Sequence, residues 1–321
     1  MKAPKILQQA IIYFANADNC LTYMASHRWP NGVECPTCGR KDVTYLANQK
    51  KWQCKTGHAK RQFTAKVGTI FEDSPLGLET WLPAVWLITT AKNGVSSCEI
   101  ARSLGVTQKT AWFMLHRIRK AMQNGSFAKL GGNGGPVEVD ETFIGGKSRN
   151  MHVAKRERRI TGTGGRDKTA VMGFLERGGQ VKTAVVPNRK TGAIQGNVRK
   201  HVEAGAALYT DALMSYRGLG SDYARQVVDH ALEYVNGQVH TNGLENFWSL
   251  LKRGINGTYV SIEPFHLFRY LDEQTFRYNN RATKDNPLTD SDRFSAVLSQ
   301  VAGKRLTYAE ITGKARQATI H

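Results

Sequence analysis

Apolar positions recur at helical spacing from the start of the chain to Arg28-Trp29-Pro30, and this predicts one helix over residues 1–30. Residues 31–74 break the rhythm, because short apolar runs punctuated by glycine predict strands. The helical period returns over 75–124, with stops at Gly94 and Gly105. The stretch GSFAKLGGNGGP, 125–136, is too poor in apolar residues and too rich in glycine for a packed element and reads as a linker. Beyond it, VEVDETFIGG (137–146) predicts a strand, and 169–187 predicts a hairpin turning at Gly178-Gly179. A helix over 191–203, strands at 207–213 and 224–230, and a helix from about Asn242 follow. This succession predicts a mixed α/β domain over 137–290, with 291–321 as a tail.

Charge changes the picture next. Among 321 residues, 45 Lys and Arg outnumber 26 Asp and Glu, a net +19. The excess is spread along the chain, with 18 basic and 7 acidic residues in positions 1–130. A surface of this sign attracts polyanions and favours nucleic acid as the partner. The basic stretch KSRNMHVAKRERRITGTGGRDK (147–168) reads as a solvated arm that orders on DNA. No apolar run reaches the ~18–20 residues that span a bilayer, and the N-terminus lacks a signal-peptide core. The expectation is a soluble, cytoplasmic, nucleoid-associated protein with no membrane partner. No phosphate-binding glycine loop with its lysine is found, so no nucleotide cofactor is expected.

The five cysteines are Cys20, Cys35, Cys38, Cys54 and Cys98. Cys35-Pro-Thr-Cys38 is one knuckle, and after fifteen intervening residues Cys54-Lys-Thr-Gly-His58 supplies a second. Three thiolates and an imidazole suit tetrahedral Zn²⁺, and the spacer fits a hairpin, as in a zinc ribbon. With four protein ligands the zinc is structural. Cys20 and Cys98 fall in helical patterns and read as small core residues.

Residues 96–122, SSCEIARSLGVTQKTAWFMLHRIRKAM, have a helix-turn-helix rhythm. Ile100, Ala101 and Leu104 face inward, Gly105 permits the turn and Thr107 caps the next helix. Gln108, Lys109 and Thr110 then lie at the N-terminus of a recognition helix, with Arg117 further along as another DNA contact. On this reading residues 1–124 suffice to bind DNA.

Three carboxylates mark the α/β domain. Asp140 interrupts an apolar alternation mid-strand, where a carboxylate is costly without a partner such as a metal. Asp211 ends the strand ALYTDAL, and Glu245 follows on the helix GLENFWSLLKRG, with Lys252 two turns later. Carboxylates from two strands and a helix can hold two hard cations, Mg²⁺ or Mn²⁺. Glu141 points to the opposite face of its strand and is read as outside the site. His230, His240 and Trp248 lie nearby, with Trp248 read as core.

The segments VEVDETFIGGK, LYTDALMSYRGL, HTNGLENFWSLLKRG and FRYNNR resemble the catalytic segments of bacterial insertion-sequence transposases. QFTAKVGTIFEDSPLGLETW and LGVTQKTAWFMLHRIR are similar to the subgroup with a zinc ribbon and helix-turn-helix before the catalytic domain. The resemblance covers roughly residues 20–285. It implies a ribonuclease-H-like fold, divalent-metal DNA cleavage and joining, terminal inverted repeats and target DNA as substrates, and a homo-oligomer on DNA. It places the acids on Asp140, Asp211 and Glu245, with Lys252 as the following base and Asn242 as the alternative third ligand. The rival readings are a DNA-binding regulator with an inactive α/β domain and a structure-specific nuclease.

Overall fold

The computed structural model describes residues 3–123, 128–146, 151–160, 168–228, 240–284 and 286–314. Part of the linker, most of the basic arm outside 151–160, and His230 fall outside these residues. The chain forms two compact units, Met1–Gln123 with Asn280–His321, and Asn124–Asn279.

The first unit starts with two helices where one is expected, α1 (Leu7–Phe14) and α2 (Ala17–Arg28). The break falls at Asn16, whose side chain accepts the N–H groups of Asp18 and Asn19 and so caps a new helix. Strands β1 (Val43–Leu46), β2 (Lys51–Cys54) and β3 (Gln62–Phe63) form an antiparallel sheet in the order β1-β2-β3. Helices α3 (Leu78–Thr90), α4 (Ser97–Leu104) and α5 (Gln108–Met122) follow. Ser96 and Thr107 cap α4 and α5, and Gly105 takes the left-handed turn between them at φ 65°. Cys20 is buried as expected, whereas Cys98, on the outer face of α4, is exposed.

Residues beyond 290 are not a tail. Helix α10 (Asp290–Leu298) packs into this unit through Phe294, which is wholly buried. Its ring lies 5.5, 5.8 and 4.9 Å from those of Phe14, Tyr23 and Trp86. Val297, Leu298, Val301, Leu306 and Ile311 are buried too, the last on the short α11 (Tyr308–Ile311). The expectation that residues 1–124 form a self-sufficient DNA-binding piece is therefore corrected, because the core of that piece is completed by the C-terminal segment.

The second unit is a five-stranded sheet built from β4 (Val137–Ile144), β5 (Thr169–Glu176), β6 (Val181–Val186), β7 (Ala207–Asp211) and β8 (Ala224–Val228). Their order is β6-β5-β4-β7-β8, antiparallel across β6, β5 and β4 and parallel across β4, β7 and β8. This is the mixed sheet of a ribonuclease-H-like domain. The short α6 (Val153–Arg159) lies within the basic arm.

Alternation along the strands sorts the side chains into two cores. Val137, Val139, Met172 and Phe174 pack with Ile194 and Val198 of α7 (Thr191–His201). Val171, Leu175 and Val181 pack on the other side with Leu244, Phe247, Trp248 and Leu251 of α8 (Asn242–Gly254) and Leu271 of α9 (Leu267–Asn279). The polar positions Glu138 and Asp140 of β4 fall on the α8 face, and Glu141 falls on the α7 face.

Candidate functional site

The acidic site forms where β7 ends. β4 pairs with β7 from Val137↔Leu208 to Val139↔Thr210 and no further, so Asp140 and Glu141 extend past the last paired residue and meet Asp211. Each of Asp140, Glu141 and Asp211 offers an oxygen within 4.8 Å of the others. Glu141 joins from the opposite face because no strand separates the two faces beyond β7. Reading strand alternation alone misses it. The signal available was the D-E pair in the middle of an otherwise apolar strand.

The three carboxylates are held in place. Asp211 Oδ1 accepts the N–H of Leu213 at 3.0 Å, and Arg225 donates to the Asp211 carbonyl at 3.2 Å. Tyr216, wholly buried, donates its hydroxyl to Glu141 Oε1. Trp248 Nε1 donates to Asp140 Oδ2 at 2.9 Å.

Burial pushes Asp140 up to about 6, against hydrogen bonds from the Glu141 backbone and Trp248, and the charges of Asp211 and Glu245 add to the rise. Burial likewise raises Glu141 to about 7, opposed by the Tyr216 hydroxyl and reinforced by Asp211 and Asp140. Among the described residues none of the three forms an ion pair, the Arg189 charge only partly offsets the rise at Glu141, and a divalent cation fits carboxylates this close and this hard to ionise together.

Glu245 and Asn242 are both exposed on α8, and Glu245 lies outside the cluster of acids. Glu245 is nonetheless near enough for its charge to act on Asp140. Lys252 is exposed further along the same helix. His240 accepts hydrogen bonds from the Arg177 guanidinium at both Nδ1 and its carbonyl, each at 2.8 Å, which gives it a structural role.

In the other unit, Cys35, Cys38, Cys54 and His58 bring their ligand atoms within 4.8 Å of one another. β1 and β2 form the hairpin between the two knuckles. Cys54 is brought down to about 6, because hydrogen bonds from Thr56, then His58 and Cys38, outweigh its burial. His58 is 3.5 Å from Cys35 Sγ through Nε2, and its buried Nδ1 has no hydrogen-bond partner among the described residues. This Cys₃His set fits a structural zinc.

The expected DNA-reading corner is exposed at Gln108 and Lys109 and half-buried at Thr110. Gln108 donates to Ser97 Oγ at 2.8 Å, and Lys109 lies 5.0 Å from the centre of the Tyr308 ring. Arg117 is corrected. Its side chain is buried and its guanidinium donates to the carbonyls of Leu306, Ile70 and Glu72 at 3.1, 3.0 and 2.7 Å. It also stacks 4.6 Å from the Phe113 ring. Three of its N–H donors are spent on carbonyls inside the fold, the side chain is buried, and α5 turns this face inward beside Met114, Ile118 and Ala121, away from DNA.

The second unit coincides with a match to the ISXO2-like transposase domain over residues 131–279, and residues 15–59 match a transposase zinc-ribbon domain. The chain belongs to the insertion-sequence transposases. It is also similar to an uncharacterized protein in transposable element ISH50 of Halobacterium salinarum, 29% identical over 259 residues, 76% of this chain and 84% of that protein. Within the transposase the acidic cluster fits a DDE-type enzyme and lies inside the matched domain, and the Cys₃His set lies inside the matched zinc ribbon. No helix among the described residues is long and apolar enough to cross a membrane.

Proposed function

We propose that this transposase binds the terminal inverted repeats of its own element and carries out metal-dependent cleavage and strand transfer. The observation that carries the reading is the convergence of Asp140, Glu141 and Asp211 where β7 ends beside β4. Asp140 and Asp211 would hold two divalent cations, Mg²⁺ or Mn²⁺, with Glu245 as the third ligand, Asn242 as its alternative and Glu141 beside them. When bound, such cations supply the positive charge that favours the attacking and leaving oxygens of an in-line displacement. Water attacks a phosphodiester at the element end, and the P–O bond to the 3′ oxygen breaks to leave a 3′-hydroxyl. That hydroxyl then attacks a target phosphodiester and forms the new P–O bond as the old one breaks.

The protein's own part is orientation. Trp248 and the Leu213 N–H fix Asp140 and Asp211, and Lys252 holds a phosphate next to the cut. Gln108, Lys109 and Thr110 read the repeat, while the zinc ribbon stays structural. Joining two ends to one target calls for a homo-oligomer on DNA, with the chain associated with the nucleoid.

The test is a cleavage and strand-transfer assay on DNA carrying the element's own ends. Asp140→Asn and Asp211→Asn are each expected to abolish cleavage and joining while leaving DNA binding nearly unchanged. Glu245→Gln is expected to lower cleavage across a Mg²⁺ titration more than Asn242→Ala, because a carboxylate is the harder ligand. Full activity in Asp140→Asn or Asp211→Asn would overturn the site.

A further inference from the structure

The indole of Trp248 looks like core filler by sequence, and it is only 4% exposed. Its N–H, however, meets Asp140 Oδ2 at 2.9 Å. The room for this contact is made on the neighbouring strand. Gly173 of β5 is the partner of Asp140 across the sheet. A Cβ at Gly173 would come within 2.7 Å of Trp248 Cζ2, 2.8 Å of Leu244 Cδ2 and 2.9 Å of Trp248 Cη2. Any side chain at that position displaces the indole.

A second polar contact fixes the same helix one turn earlier. Glu138, two residues before Asp140 on the same face of β4, accepts the Leu244 N–H at 3.1 Å. Arg177 Nε in turn donates to Glu138 at 2.8 Å. Leu244 and Trp248 are one helical turn apart, and Glu138 and Asp140 are one strand repeat apart. Helix α8 is thus fastened to β4 at two points, which sets its register on the strand.

A carboxylate turns easily about its terminal bond, so rigid donors decide how its oxygens face; the Glu141 backbone supplies one for Asp140 and the Trp248 indole the other. An indole N–H does this without adding charge, so the acidity of the cluster stays available to a cation. Outer partners of metal-binding carboxylates typically contribute ~10–100-fold in affinity. We propose that Trp248 is a positioning residue for Asp140. Its N–H holds Oδ2 so that Oδ1 is presented to a divalent cation, and Gly173 is the position that admits the ring. The proposal rests on the cation-site reading given above.

The test uses the full-length protein with Trp248 replaced by benzothienylalanine, which keeps the ring shape and puts sulfur in place of the N–H; Trp248→Phe serves as a second variant. Mn²⁺ affinity is read without DNA from the paramagnetic resonance of free Mn²⁺, alongside the thermal midpoint. The isostere is expected to bind Mn²⁺ about tenfold more weakly at an unchanged midpoint. Its cleavage is expected to fail at low Mg²⁺ and to recover as Mg²⁺ is raised. Unchanged Mn²⁺ affinity in the isostere, whatever the midpoint, overturns the role of Trp248. Asp140→Asn separates the two ideas. If it also keeps wild-type Mn²⁺ affinity, the cation site itself falls. If it loses affinity while the isostere does not, only the positioning role falls.

Discussion

Phe294 tests whether the C-terminal segment completes the first unit. The side chain is wholly buried, and the rings of Phe14, Tyr23 and Trp86 surround it at 4.9–5.8 Å. Truncating a buried Phe to Ala costs about 3–5 kcal/mol, the sum of lost transfer energy and the cavity left behind. The upper half of that range applies here. Three aromatic neighbours on three different helices cannot all close on one methyl group, and each ring pair is worth about 0.5–1.5 kcal/mol beyond its area. A loss of about 4 kcal/mol is a large share of the ~5–15 kcal/mol that holds a domain together. For a domain of about 150–250 residues each kcal/mol moves the midpoint by about 2–4 °C, so Phe294→Ala should lower Tm by about 8–16 °C. Thermal unfolding followed by near-ultraviolet circular dichroism reads this directly. Phe265→Ala, at a ring 48% exposed in the other unit, is the control and should change little. The same packing requires that a fragment ending at residue 123 be unfolded or loosely folded until residues 280–314 are added. A Phe294→Ala shift no larger than that of Phe265→Ala, or a fully cooperative 1–123 fragment, would show that the segment merely lies on a core complete without it.

Two further outcomes follow. Removal of zinc is expected to unfold the β1–β3 sheet and abolish the ring signal of Trp52, which packs 5.3 Å from Trp29; zinc-free protein that keeps this signal would refute a structural Cys₃His site. Asp140 and Glu141 titrate at about 6 and 7 in the metal-free fold, above their ordinary 3.8 and 4.5, so between about pH 4 and 7 the folded chain binds more protons than the unfolded one. Stability of the metal-free second unit should therefore fall as pH rises through that window, by up to about 3 kcal/mol per group, and Mg²⁺ should restore more at pH 8 than at pH 5. Denaturant midpoints with and without Mg²⁺ at the two pH values check this, and an equal Mg²⁺ effect at both would refute it.

The fold was legible where one periodicity ruled over enough residues. The five described strands of the second unit lie within the segments expected to be strands; β4 to β7 send apolar residues into the two cores, whereas β8 sends none among its described residues. The sequence also held signals at two places where the expectation failed. Asn-Ala-Asp-Asn at 16–19 is an N-cap between two apolar runs, and it splits the first helix. Thr289 with Asp292, and Thr307 with Glu310, are capping boxes that announce two helices in a stretch read as tail. That these helices belong to the N-terminal unit could not be read locally, since the partners of Phe294 lie more than 200 residues away in the chain.

The site divides along the same line. The four zinc ligands were legible because a hairpin closes their spacing locally. Arg117 misled because a charge on a DNA-reading helix suggests a phosphate, yet its position three residues after Met114 and one before Ile118 already placed it on the buried stripe. Glu141 misled for the opposite reason. Alternation correctly gives its face, but the faces stop being separate where β7 ends, and the end of a pairing is a tertiary fact. The same reasoning explains why Trp248 was read as filler. A large apolar residue on the inner stripe of α8 satisfies the helix pattern completely, and only the missing side chain at Gly173, on a strand paired with Asp140, shows that the ring is admitted to reach a carboxylate. A residue that obeys the local pattern while its neighbour on another strand breaks one is therefore where a chemical role is hardest to see from sequence and easiest to see from structure.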